Sequence, residues 1–189
     1  MKRFFKHLHK VNKHRFQVFK LCCKCGLFKR GLLHDLSKYS PTEFFESVKY
    51  FTDGKRSSLE QSRDKLGYSP GWLHHKGRNK HHIEYWYDER NEIQPLMPYE
   101  YAVESVCDRI SATKSYKGKD YKPQHVLDYW NSRNQDMAMN PKTRKFFNIV
   151  LNDLATYGEK YILNKKYMKE AYKVAIEDEE STKGKTNKD

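Results

Sequence analysis

Apolar residues recur at helical spacing along most of the chain, and no stretch alternates convincingly between apolar and polar residues as a half-buried strand does. The first apolar stripe runs from Phe4 to about Cys25 without a glycine or a proline. Gly26 fits the end of that helix, so residues 27–36 can form a second helix antiparallel to the first. The pattern therefore predicts an all-α protein.

Proline and capping residues predict where the next helices begin. The run SPTE at residues 40–43 is a capping box with proline at the first helical position, and it predicts a helix to about Phe51. The pair Ser69-Pro70 opens a shorter helix in the same way. Further helices are predicted over residues 59–66, 81–88, 99–116, 126–130 and 143–163.

The number of helices and the chain length together predict one folded unit. We expect a bundle of six to eight helices over residues 1–163, which is long enough to bury a core. Charge density rises beyond about Asn164, so residues 164–189 are expected to form a charged, mobile tail. Only 37% of residues are hydrophobic while 14% are aromatic, which favours a core of Tyr, Phe and Trp.

The formal net charge of +13 favours a polyanionic partner, although a Lys-rich solvated surface explains the charge equally well. No apolar stretch approaches the length of a membrane span, and no signal peptide follows the basic start, so we expect a cytoplasmic protein with no membrane partner. Cys22, Cys23 and Cys25 are crowded on one predicted helix, far in sequence from Cys107. That spacing favours reduced core thiols over disulfides or a zinc finger.

Candidate chemistry centres on RGLLHDLSKYS at residues 30–40, where His34 and Asp35 close an apolar run. Neighbouring residues on a helix lie about 100° apart, so both can reach one ion only at the helix edge. A second stretch, WLHHKGRNKHHIEYW at residues 72–86, holds four of the nine histidines. His14 lies in the apolar stripe of the first helix, and Asp108 has small helical neighbours that leave room beside its carboxylate.

These residues resemble the ligand set of the HD-domain metal-dependent phosphohydrolases: a first His, the His-Asp pair, one or two later histidines and a final Asp. The resemblance implies that the bundle is HD-domain-like and that it binds one or two divalent ions of Mn, Fe, Co, Ni or Zn, which accept imidazole and carboxylate ligands. The implied metal ligands are His14, His34, Asp35, His74, His75, His81, His82 and Asp108. Asp35 could bridge two ions, and the sequence leaves open which histidine of each adjacent pair points inward.

Superfamily members often carry a Lys three residues after the Asp, and Lys38 stands there, which implies a contact with substrate phosphate. We expect catalytic roles for Asp35, Lys38, His75 and His82. The basic bend after the first histidine pair could add to phosphate binding. The expected substrate-binding residues are Lys38, Lys76, Arg78, Asn79 and Lys80. A lysine at a helix end that complements the macrodipole is the plainer reading of Lys38.

A closer resemblance covers most of residues 1–160, through GLLHDLSKYSPTEF, GYSPGWLHHKGRNKHHIEYW, MPYEYAVESVCDRISA and YKGKDY. It is to a bacterial and phage family of unassigned function, so it brings no activity with it. Two departures from the HD pattern stand out. The gap between the first His and the His-Asp pair is short, so His9 or His7 could take the place of His14, and the later histidines are closely spaced.

Three functions fit the sequence. The first is a phosphohydrolase or phosphodiesterase acting on a nucleotide or a short oligonucleotide, cyclic ones included. The second is a nucleic-acid-binding module without catalysis, which would use Arg78, Lys80, Tyr85 and Trp86 as a basic and aromatic surface. The third is a di-iron oxygenase on the same ligands. The expected partner is a phosphorylated small molecule or a short nucleic acid.

Overall fold

The computed structural model describes residues 2–52 and 56–177, and this part of the chain is all-helical with no strand. The all-α prediction is confirmed, while ten α-helices exceed the predicted six to eight. The α-helices are α1 Lys2–Lys24, α2 Phe28–Leu33, α3 Pro41–Tyr50, α4 Ser58–Leu66, α5 Pro70–Arg78, α6 Tyr99–Lys117, α7 Gln124–Asn131, α8 Pro141–Tyr157, α9 Glu159–Ile162 and α10 Lys165–Ile176. Short 3-10 helices cover Leu36–Tyr39, Ile83–Trp86 and Gly118–Asp120.

Helix α6 lies at the centre of the bundle and contacts α1, α2, α7, α8 and α10. Its buried residues include Val103, Val106 and Ile110, but also Glu104 and Ser111, so polar groups lie on its buried surface as well. A helix buried on several sides can present one face to the core and another to an internal site. Helix α6 does both.

The buried core is mainly aliphatic, with Trp130, Phe146 and Phe147 as its large aromatic members. The prediction of a core built from aromatic residues was therefore wrong in part, because the tyrosines lie at its margin and several phenylalanines are exposed. Three of the four cysteines are buried and free, and Cys23 is exposed and free. Tyrosine stays at the margin because its hydroxyl needs a polar partner when buried.

The helical prediction ended too early at residue 163. Gly158, with φ of 79°, ends α8, and the chain then forms α9 and α10. Helix α10 packs against α8 and buries Met168, Ala171 and Ala175, so residues 165–176 belong to the folded unit rather than to a tail. Residues 178–189 of the expected tail lie outside the described residues. No helix in the described ranges is long and apolar enough to cross a membrane.

Candidate metal centre

The His-Asp pair lies just past the end of α2 rather than on it. Helix α2 ends at Leu33, and Asp35 adopts the left-handed conformation with φ of 53°. The side chain of Arg15 donates to the carbonyl of His34 at 2.7 Å and to that of Leu32 at 3.0 Å. These bonds satisfy carbonyls that a helix end leaves free. His34 and Asp35 therefore do not have the helical spacing that the sequence implied.

Close packing of α1 and α2 fixes the position of this turn. A Cβ atom on Gly31 would lie 2.8 Å from Cβ of Cys22 and 3.0 Å from Cα of Phe19. Only glycine allows the two helices to approach so closely. His14 on α1 is thereby brought beside His34, with 5.6 Å between the ring centroids.

The carboxylate of Asp35 lies between two sets of histidines. Its Oδ2 is 3.3 Å from Nε2 of His34 and 3.8 Å from Nε2 of His14. Its Oδ1 is 3.4 Å from Nε2 of His75 and 3.5 Å from Nε2 of His81. Asp35 is buried, so each of its oxygens faces a different pair of imidazoles away from bulk water.

Asp108, on α6, approaches the same histidines from the opposite helix. Its Oδ1 is 3.0 Å from Nε2 of His14 and 3.8 Å from Nε2 of His34, and its Oδ2 is 3.7 Å from Nε2 of His81. Residues that are distant in sequence thus converge on one place. The structure brings together His14, His34, Asp35 and Asp108, the set expected to bind a first ion.

Among the described residues, this arrangement forms three groups of potential ligand atoms, and the atoms within each group lie within 4.8 Å of one another. The first group consists of Asp35, His75, His81 and His82. The second consists of His14, His34 and Asp35, and the third of His34, His81 and Asp108. Because Asp35 belongs to two groups, the arrangement could hold one ion or two.

The two adjacent histidine pairs differ in how many of their rings point inward. His75 points inward, while Nδ1 of His74 is 2.7 Å from Glu43 and His74 belongs to none of the ligand groups. His81 and His82 both point inward, because they precede the short 3-10 helix Ile83–Trp86 instead of lying on the helix predicted over residues 81–88. Nε2 of His82 lies 2.9 Å from Nε2 of His75.

The alternatives to His14 occupy other places. His7 lies buried with its ring against Phe44 and Phe51, at centroid distances of 5.2 and 5.6 Å. His9 is exposed on the surface of α1. Neither belongs to a potential ligand group among the described residues, so His14 is the α1 histidine at the centre.

Two buried glutamates that sequence reasoning missed orient the histidines from behind. Glu104 accepts from Nδ1 of His34 at 3.0 Å and lies 3.3 Å from Nδ1 of His81, while its other oxygen accepts two bonds from Arg30. A histidine whose Nδ1 is bonded to a carboxylate has its Nε2 free to face a metal. Such a carboxylate is the usual outer-shell partner of a metal-binding histidine.

Glu43 does the same for the α5 histidines. Its two oxygens lie 2.7 Å from Nδ1 of His74 and 2.8 Å from Nδ1 of His75. The sequence had assigned Glu43 to a capping box, and its backbone N–H does donate to the Ser40 hydroxyl at 3.4 Å. Its side chain points to the histidines instead, and the sequence, in which Glu43 fits a capping box, gave no signal of this role.

The charges of the centre depend on its burial and its neighbours. Burial opposes the charged form of His34, but Asp35 outweighs this effect and raises the pKa of His34 to about 10. Burial raises the pKa of Asp35, but His34 and Lys38 outweigh it and hold that pKa well below its ordinary value. For Glu104, hydrogen bonds from the histidines outweigh burial and lower the pKa to about 2. The carboxylates are therefore ionised and attract positive charge.

The atoms without partners mark where an ion would fit. Among the described residues, Nε2 of His34 and of His81 and Oδ1 of Asp35 are buried and form no hydrogen bond of ordinary geometry, although oppositely charged groups face them at 3.3–3.8 Å. Buried polar atoms normally find a partner, and these are the atoms that converge in the ligand groups. Imidazole and carboxylate donors of this kind suit a divalent transition metal. The residues therefore fit a metal ion, whose identity they leave open.

A cavity of about 850 Å³ opens onto the centre. His14, His75, His82 and Asp108 line it together with Lys38, whose Nζ lies 2.8 Å from Oδ2 of Asp35. Burial disfavours the charged form of Lys38, but Asp35 outweighs this and raises its pKa. Lys38 therefore remains a cation at the inner wall of the cavity.

The other residues expected to bind substrate lie elsewhere. Lys76, Arg78 and Lys80 do not line the cavity, and Arg78 and Lys80 are exposed at the end of α5 and beyond it. Asn79 is buried and donates to Ser37 at 2.7 Å and to the carbonyl of His75 at 2.8 Å, so it supports the centre instead. Besides Lys38, the cavity contains cations that do not belong to the basic bend. They include Lys10, Arg63, Arg109 and Arg133.

Comparison with known protein families identifies the family of this chain. Residues 3–153 match the model of a family described as "Family of unknown function (DUF5662)". The chain belongs to this family. No curated protein and no solved structure was found to match the chain. The match covers helices α1 to α7 and most of α8, so the DUF5662 region contains every residue of the candidate centre.

Proposed function

We propose that this protein is a metal-dependent phosphohydrolase or phosphodiesterase of the HD type, acting on a nucleotide or a short oligonucleotide, cyclic ones included. One observation carries the proposal. Buried imidazole Nε2 atoms converge on two ionised carboxylates beside a large cavity, and buried glutamates hold the Nδ1 atoms of His34 and His75. A purely structural histidine cluster has no need of unpartnered nitrogen atoms at its middle.

The residues of the chain have separable tasks in this proposal. A bound divalent ion would supply Lewis-acid stabilisation of phosphoryl oxygens and a lowered pKa of water. His14, His34, Asp35 and Asp108 would hold it, and His75, His81 and His82 with Asp35 would hold a second. The ammonium group of Lys38, facing the cavity, would bind and orient a phosphoryl oxygen.

His82 lines the cavity beside the other proposed ligands. Burial, with smaller effects of His81 and His75, holds the pKa of His82 well below its ordinary value, so its ring is neutral and is available to bind a metal ion or to hydrogen-bond the attacking water. In the hydrolysis the phosphorus–oxygen bond of the ester breaks. Water supplies hydroxyl to phosphorus and a proton to the leaving oxygen, so no covalent intermediate on the protein is required.

The arrangement around Asp35 also suits a di-iron oxygenase, because a carboxylate shared by two ligand groups could bridge two irons. The basic and aromatic surface of the binding-module hypothesis is largely engaged within the chain. Trp86 donates to the carbonyl of Lys80 at 2.7 Å, and the Lys80 ammonium lies over the rings of Tyr85 and Tyr101. Such contacts reduce the surface available for stacking on bases.

The test combines metal analysis with hydrolysis of a chromogenic ester. Protein purified without a histidine tag or chelator is expected to contain a transition metal by elemental analysis. With Mn²⁺ it should release nitrophenol from bis(4-nitrophenyl) phosphate equally under air and nitrogen, and Asp35→Asn should lose both metal and activity. Oxygen-dependent turnover with iron would favour the oxygenase, and a metal-free, inactive protein would overturn the proposal.

A further inference from the structure

The wall of the cavity contributed by α6 and α7 holds an arginine that the proposed chemistry does not use. Arg109 follows Asp108 on α6, and adjacent side chains on a helix diverge by about 100°. Its guanidinium group lies 5.0 Å from the ring of Trp130 and 5.3 Å from that of Phe147. Asp108 and Arg109 line the same cavity at neighbouring points.

Within residues 2–52 and 56–177, the guanidinium group of Arg109 forms no ion pair and donates no hydrogen bond, and its Nε is buried without a partner. Leaving a charged donor buried and unpaired is costly. Stacking on the two aromatic rings positions the guanidinium group but gives none of its N–H groups a hydrogen-bond acceptor.

Arg133, just past the end of α7, lines the cavity as well. Its Nη1 donates to the hydroxyl of Tyr129 at 2.8 Å, and in the described chain no carboxylate forms an ion pair with it. Glu84 and Asp136 also line the cavity, yet neither lies within 4.0 Å of the Arg109 or Arg133 nitrogens. Two arginines thus face one space, and among the described residues the carboxylates that also face it, Glu84 included, form no ion pair with either of them.

We propose that Arg109 and Arg133 bind a second phosphate group of the substrate, whose first phosphate lies at the metal centre. The inference rests on the proposed function and narrows its substrate to bisphosphorylated nucleosides and dinucleotides. Planar guanidinium forks bind phosphate oxygens in pairs, which gives them the geometry for this task. The cavity of about 850 Å³ is far larger than one phosphate group requires.

Calorimetric titration of the full chain tests the proposal, first in EDTA and then with Mn²⁺. The probes are adenosine 3′,5′-bisphosphate and adenosine 5′-monophosphate. The wild-type protein should bind the bisphosphate at least about 10-fold more tightly, as expected for one charge-assisted contact. Arg109→Met keeps an unbranched apolar side chain on Trp130 and should reduce the preference to about 2-fold or less. Arg78→Gln, at an exposed arginine outside the cavity, should retain the full preference.

An unchanged preference in folded Arg109→Met protein would overturn the proposal. If circular dichroism shows that this variant does not fold, Arg133→Gln decides, because Arg133 is exposed and carries little packing. An Arg109-dependent preference in EDTA without any Mn²⁺-dependent hydrolysis would support the phosphate site and count against the proposed function. Mn²⁺-dependent hydrolysis that is equally fast with and without a second phosphate on the substrate would support the proposed function and count against the phosphate site.

Discussion

Glu104 offers the sharpest test of how the centre is built, through the substitution Glu104→Gln. One carboxylate oxygen faces Nδ1 of both His34 and His81, and the other accepts two bonds from Arg30. A glutamine amide can turn its oxygen toward the histidines or toward Arg30, but not toward both. Whichever way it turns, its NH₂ group faces another donor.

The magnitude follows from the bonds that are lost. Hydrogen bonds to charged groups contribute about 1.5–3 kcal/mol each, and the loss of an outer-shell partner typically lowers metal affinity by about 10–100-fold. We therefore expect Glu104→Gln to weaken Mn²⁺ binding by about 10–100-fold, or about 1.4–2.8 kcal/mol. In EDTA the free energy of unfolding should fall by about 1–3 kcal/mol, because Arg30 or His34 loses its acceptor.

Isothermal titration with Mn²⁺ measures the first effect, and urea unfolding in EDTA measures the second. Glu100→Gln is the matched control, since it lies one turn earlier on α6 and no hydrogen bond to the centre involves it. The control should change neither quantity beyond about 0.5 kcal/mol. Wild-type metal affinity in a folded Glu104→Gln protein would show that the glutamate does not orient the ligands.

Three further predictions follow from the same geometry. Asp35→Asn should abolish metal binding, whereas Lys38→Ala should keep the metal by elemental analysis and slow turnover by about 100-fold or more, and equal metal loss would make Lys38 structural. Burial, with the charges of Lys38 and Lys10, lowers the pKa of His7 to about 4, so protonation destabilises the fold as pH falls below the unfolded value of 6.5. Relative to His7→Phe, the wild type should lose up to about 3 kcal/mol of unfolding free energy between pH 6.5 and 4, and parallel pH profiles would contradict this. Gly31→Ala should cost about 1–3 kcal/mol in urea unfolding because its Cβ meets Cys22, while Gly77→Ala, with open space around it, should be neutral or stabilising.

The sequence predicted elements whose signals are local. Ser40 and Ser69 do cap their helices, accepting from the backbone N–H groups of Glu43 and Trp72. The sequence also predicted which residue types form the centre, because few functions other than metal binding explain so many histidines and aspartates close together. The sequence could not show how the turn after α2 positions the centre. There Arg15, which is distant in sequence, caps the helix, and Asp35 has a left-handed instead of a helical backbone.

The basic bend at residues 76–80 was a poor guide to the site, although Lys38 does line the cavity. Cations clustered in sequence, such as Lys76 and Lys80, suggested the mouth of a binding site, yet they lie outside the cavity. Arg109 directly follows the predicted ligand Asp108, and nothing in its spacing distinguishes it from an exposed arginine. Whether an arginine is exposed or faces a cavity depends on which helices pack together, and no spacing rule contains that information.

The left-handed turn at Asp35 restricts which amino acids this position can tolerate. Among residues with a side chain, aspartate and asparagine adopt that backbone most readily, and other L-residues incur about 1–2 kcal/mol of strain. Glutamate would keep the charge but would strain the backbone and carry its oxygens one methylene farther from the backbone, so that they would no longer lie between the histidines. Backbone and coordination chemistry thus select the same amino acid independently, so charge conservation alone is a poor guide to acceptable variation here.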